Sequence, residues 1–126
     1  MATWRKMTEG GNTVADRRRH VRYVGDGLMV MIDGRLLPAA DISLGGVRVA
    51  DLGGTDRGAV IPLRVIPCVD DVLLLDQSAQ VDGQVLGTGS AGLRLAFVQP
   101  RYSLARLVLG HARRQRQAPP FSPTGR

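Results

Sequence analysis

The chain has 126 residues with 17 basic and 11 acidic side chains, a formal charge of +6, and is 44% hydrophobic with only two Phe, two Tyr and one Trp. That is the length of one domain, with enough Val, Leu, Ile and Ala for a core, so wholesale disorder is excluded. No apolar run approaches the roughly 18 residues of a membrane helix, and no secretion signal opens the sequence. Cys68 is alone and far from His20 and His111, which excludes an internal disulfide and leaves no short zinc spacing. A cytoplasmic protein without membrane insertion or structural metal is expected.

Residues 1–14 are rich in Gly, Thr and Asn and read as a flexible arm, followed by the basic cluster ADRRRHVR at 15–22. GLMVMI (27–32) and RLLPAADIS (35–43) flank Asp33-Gly34, which predicts a hairpin whose second strand Pro38 pushes toward an edge or a bulge. Leu28 to Ile32 is apolar at every position, which predicts cover on both faces. Val47–Val49 alternates as a third strand, and Ala59–Pro67 predicts a fourth with prolines suited to an edge. Val72–Asp76 reads either as an isolated piece or as the start of a strand whose better part is Ala79–Gly87. Gly92–Val98 sets Leu93, Leu95 and Phe97 on one face.

Short strands with glycine-rich turns predict an antiparallel barrel or sandwich. A helix follows over 103–116, capped by Ser103, with Leu104, Leu107, Val108 and His111/Ala112 at helical spacing. That stripe is the candidate cover for the outer face of Leu28–Ile32. The tail, 117–126, is proline-rich and expected to be disordered.

Charge is unevenly spread. Residues 1–22 carry +4, residues 23–100 carry −4 and residues 101–126 carry +6. A body that grips long nucleic acid spreads cations over a folded face, because each neutralised phosphate adds affinity. The acidic middle of this chain argues against long nucleic acid and for a short anionic ligand caught by an arginine-rich arm.

Catalysis finds little support. Ser43, His20 and Asp41 are the ingredients of a nucleophilic triad, but Ser43 is in no nucleophile-elbow setting and nothing places His20 as its base. Most aspartates stand in turn contexts such as Asp33-Gly34 and Asp82-Gly83. No enzyme is expected.

Arginine's donor fork matches the O6 and N7 acceptors of guanine and equally a phosphate, while a carboxylate accepts from guanine's N1 and N2 protons. The cluster at 15–22 and the segment DISLGG at 41–46 therefore supply complementary readers for a phosphorylated guanine nucleotide, with Ser43 adding a hydroxyl and Gly46 allowing close backbone approach. Each is weak alone: a basic run is usually solvated, and DxSxxG is usually a turn.

In this order, ahead of a β-rich region, the two resemble the PilZ family of cyclic di-GMP receptors. RxxxR is met in one register, by Arg18 and Arg22, and D/NxSxxG by Asp41, Ser43 and Gly46; the strand Gly92–Phe97 and the helix after it extend the likeness over 15–116. The resemblance implies a six-stranded antiparallel β-barrel over 23–99 with a C-terminal helix. It also implies that Arg18 and Arg22 hold guanine and phosphate groups, that Asp41 and Ser43 read a guanine edge, and that Gly46 permits close approach.

Arg17, just before the first motif arginine, points in this family toward an intercalated ligand pair and a ligand-linked dimer. The expected protein is a stand-alone receptor without other cofactor, whose arm orders on binding and signals to an unidentified downstream protein. Three other readings stay open: a PilZ-like adaptor that binds no nucleotide, a small barrel that binds single-stranded nucleic acid, which the five aromatics and the acidic body disfavour, and a soluble barrel with charged ends and no ligand.

Overall fold

The computed structural model describes residues 20–117. The arm at 1–14, Arg17, Arg18 and the tail beyond Gln117 lie outside the described residues. Eight strands are present: β1 Tyr23–Val24, β2 Leu28–Ile32, β3 Arg35–Ile42, β4 Gly46–Val49, β5 Val60–Val69, β6 Val72–Leu73, β7 Ala79–Gly87 and β8 Leu93–Val98. A 3-10 turn spans Leu75–Gln77 and one helix, α1, spans Tyr102–Gln117.

All pairings are antiparallel, in the order β3-β2-β5-β7-β8-β4, and β4 pairs back onto β3. Closure removes every open edge of the six main strands. β1 extends the β2 side of β3, and β6 folds back on the end of β5. This six-stranded closed antiparallel barrel with a C-terminal helix is the architecture that the resemblance implies.

Strand alternation fills the interior. Leu28, Val30 and Ile32 of β2, Leu63 and Val65 of β5, Ala79, Val81 and Val85 of β7, and Leu93 and Leu95 of β8 are all buried in one cluster. Each fully buried Leu or Val contributes about 1.5–3 kcal/mol relative to exposure. β2 does not need equal cover on both faces, because Met29 and Met31 on its outside are only half-buried.

The hairpin forms as predicted, with Asp33 and Gly34 at φ 52° and 75°, the positive pair that a two-residue turn matching strand twist demands. Counting rungs from the closing pair Ile32↔Arg35, the Pro38 nitrogen points away from β2, and β4 joins β3 only from Ala39 onward. The missing N–H therefore breaks no ladder.

Two expectations about these strands are corrected, and one left open is settled. β5 is no edge, being paired to both β2 and β7; Pro62 lies beyond the β2 ladder, which ends at Leu63, and Pro67 lies beyond the β7 ladder, which ends at Val65. Asp82-Gly83 is no turn but mid-strand in β7, where a Cβ on Gly83 would come within 2.7 Å of the Leu63 side chain. Val72–Asp76 is the isolated piece, not part of β7: Val72 and Leu73 pair with Val69 and Cys68 across Asp70-Asp71.

α1 begins one residue before the predicted cap. The Arg101 carbonyl accepts the first helical bond, from the Ala105 N–H, so Ser103 is inside the helix. Leu104, Leu107 and Val108 join the barrel core. The helix packs chiefly on β7 and β1, closing the barrel end where it leaves β8, instead of lying over the outer face of β2.

His111, 2% exposed, donates from Nε2 to the Val24 carbonyl at 2.6 Å and so ties α1 to β1. His111→Leu keeps comparable bulk but strips that carbonyl of its partner. A loss of about 1–2 kcal/mol of stability is expected in a thermal melt; an unchanged melting temperature would mean that the bond carries no net energy.

Candidate functional site

The site is built by an irregularity in β3. Up to Ala39 the odd-numbered residues face the core, with Leu37 half-buried and Ala39 buried. The register shifts between Ala39 and Asp41, leaving Ala40 as the extra residue, and Ile42 becomes the inward one. Without that bulge Asp41 would point into an apolar core, where an ionised carboxylate is prohibitively costly. With it, the carboxylate emerges on the outer wall.

Asp41 lies opposite Val24 of β1 and Arg48 of β4. Its Oδ1 accepts from Arg22 Nη1 at 2.6 Å, and its Oδ2 accepts from Arg48 Nε at 2.8 Å, with Nη2 of the same guanidinium in ion-pair contact at 2.8 Å. The two arginines differ. Arg22 stands on the segment entering β1, with its side chain 50% exposed, whereas Arg48 is fixed in β4 and also donates from Nη1 to the Ala91 carbonyl at 2.9 Å. Gly92 makes room for it: a Cβ there would come within 3.4 Å of Arg48 Cγ and 2.6 Å of the Val49 carbonyl. The Asp41 side chain is 18% exposed, so one edge stays reachable from solvent.

Beside it, residues 43–46 make a tight turn from β3 into β4. The Ser43 N–H donates to the Gly46 carbonyl at 2.8 Å, and Ser43 Oγ accepts from the Gly45 and Gly46 N–H groups at 3.1 and 3.2 Å. Ser43 is 4% exposed, so its hydroxyl serves the turn. The close approach that Gly46 permits is to β8, since a Cβ would sit 2.3 Å from the Leu95 carbonyl oxygen. The His20 ring lies over Gly45, where a Cβ would meet its Cδ2 at 2.7 Å, so the arm's entry to the barrel passes across the turn.

The fold thus gathers Arg22, Asp41, Ser43 and Gly46 at one barrel end, while Arg17 and Arg18 lie outside the described residues. Arg22 and Asp41 present charged groups; Ser43 and Gly46 build the turn that holds β4 against β3. Sequence reasoning missed Arg48, whose only signal is its outward place between Val47 and Val49, and missed His20 as cover for Gly45. Among the described residues no group of three His, Cys, Asp or Glu could hold a metal ion, and no helix is long and apolar enough to cross a membrane.

No family model and no curated protein matches the chain. Among solved structures, an uncharacterized Legionella protein matches with a TM-score of 0.51 at 16% identity, over 78% of this chain and 99% of that one. The PilZ domain of CeSA from a cellulose-synthesizing bacterium matches with a TM-score of 0.44 at 14% identity, over 74% and 93% of the two chains. At these identities the likeness is one of fold.

Proposed function

We propose that the protein is a PilZ-type receptor for cyclic di-GMP whose arm, on binding, becomes a surface read by a downstream protein. The observation that carries this reading is the contact between Arg22 and Asp41, 19 residues apart in sequence and one from each motif, paired on the barrel wall beside the Ser43–Gly46 turn. In this reading the Asp41 carboxylate accepts the N1 and N2 protons of a guanine, and Arg22 turns from Asp41 to the ligand's base or phosphate, joined by Arg17 and Arg18. Ser43 and Gly46 hold the turn on which the base rests. Nothing in the mechanism requires bond making, in keeping with a binding module rather than an enzyme.

Binding supplies two negative charges to an arm that carries Arg17, Arg18, Arg19 and Arg22 within six residues. Their mutual repulsion is relieved, and the arm settles onto the barrel. Titration calorimetry with cyclic di-GMP on wild type, Arg18→Ala and Arg22→Ala tests this. Each lost charge-assisted contact is expected to cost about 1.5–3 kcal/mol, roughly a tenfold weakening or more. No heat and no melting shift with the wild-type protein would favour the adaptor reading, and equal affinities for all three would remove the arm from the mechanism. Mass measurement in the same titration reads whether an intercalated pair and a dimer form.

A further inference from the structure

The cross-strand row that holds Asp41 continues past it. Asp41 lies opposite Arg48, Arg48 lies opposite Arg94 of β8, and Arg94 lies opposite Gly87 of β7, all on the outer wall. Like charges directly opposite on one sheet face destabilise it. Arg48 is matched by Asp41, but Arg94 is exposed and has no hydrogen-bond or ion-pair partner among the described residues. Its surroundings are small: Gly92 just before its strand, Ala96 within it, and Gly87 across from it, where even a Cβ would meet nothing within 4 Å. Gly87 is turned outward by the second register shift of the barrel, between Val85 and Gly87.

The geometry points to Arg94 as the seat of a phosphodiester group of the ligand, on a shelf of small residues that prolongs the site from β4 onto β8. This rests on the cyclic di-GMP reading and adds a residue outside both motifs. The arm approaches the ligand from the β1 side with Arg22, so a cyclic dinucleotide whose guanine is read by Asp41 presents its far phosphate toward β8. There Arg94 offers a planar fork to the oxygens, and Arg48, already bonded to Asp41, adds its field. The uncompensated charge then has a counterpart, and the like-charge pair is relieved on binding.

Calorimetry and phosphorus NMR with cyclic di-GMP on wild type, Arg94→Ala, Arg94→Glu, Arg22→Ala and Arg35→Ala test the inference. Arg35 is another exposed arginine, at the hairpin end of β3, so its removal matches the change in net charge. Arg94→Ala is expected to bind about tenfold more weakly with a melting temperature no lower than that of wild type, since it removes a like charge opposite Arg48, Arg94→Glu more weakly still, and Arg35→Ala as wild type. In the Arg94→Ala complex at saturation, one ligand phosphorus resonance is expected to move toward its free position. If Arg22→Ala loses affinity while Arg94→Ala matches Arg35→Ala, or if the phosphorus resonances of the Arg94→Ala complex match those of wild type, the seat is overturned and the receptor reading stands. If wild type binds no cyclic di-GMP, both fall together.

Discussion

Asp41→Ala is expected to weaken cyclic di-GMP binding by about 100-fold or more, since the carboxylate would lose two bonds to guanine protons at about 1.5–3 kcal/mol each. The same change leaves Arg22 and Arg48, both now held by that carboxylate, without their shared anion beside an uncompensated Arg94. A cationic wall without its acid still attracts phosphate, so anion binding of low selectivity is expected to survive. Calorimetry with cyclic di-GMP and cyclic di-AMP separates the two effects: the variant should lose its preference for guanine before it loses all binding. Retention of wild-type affinity and preference by Asp41→Ala would mean that the base is read elsewhere.

Gly46→Ala should act on the barrel before it acts on any ligand. The added methyl would lie 2.3 Å from the Leu95 carbonyl oxygen, a backbone atom with no freedom to swing aside, at the first rung between β4 and β8. β4 must retreat, and it also carries Arg48 and closes the sheet onto β3. A loss of about 3 kcal/mol or more is expected, at the upper end of overpacking effects, which lowers the melting temperature by about 10 °C or more in a domain of this size. Gly87→Ala, where a Cβ meets nothing within 4 Å, is the matched control and should melt within a degree or two of wild type. Equal melting of the two variants would show that β4 has slack.

Much of the barrel was legible in the sequence because its signals are local. Asp33-Gly34 between two β-rich runs can form only a tight hairpin, and the alternation of Leu93, Leu95 and Phe97 fixes which face of β8 is inward. The prolines of β5 misled because a proline reports one missing donor, not which side of the strand that donor would have faced; Pro62 and Pro67 each fall where one neighbouring ladder has stopped. Asp82-Gly83 misled because small size inside a narrow barrel and freedom in a turn favour the same residue.

For the site, the two motifs announced Arg22 and Asp41 as partners of one ligand, but they did not announce them as partners of each other. Nor could they reveal Arg48 and Arg94, whose relevance depends on register across three strands. The bulge at Ala40 was hinted at by Pro38, yet its consequence, turning Asp41 outward, needs the burial of Ala39 and Ile42 on either side.

In the proposed cyclic di-GMP reading, an acid clasped by two guanidiniums would also act as a filter. A neutral nucleoside can offer Asp41 the same hydrogen-bonding edge, but it brings nothing to occupy Arg22 once that pairing opens, and the exchange runs uphill. A molecule carrying its own negative charge takes over the released cation in the same event. The threshold for entry is therefore set by charge as well as by shape, and guanosine should fail where its phosphorylated relatives succeed.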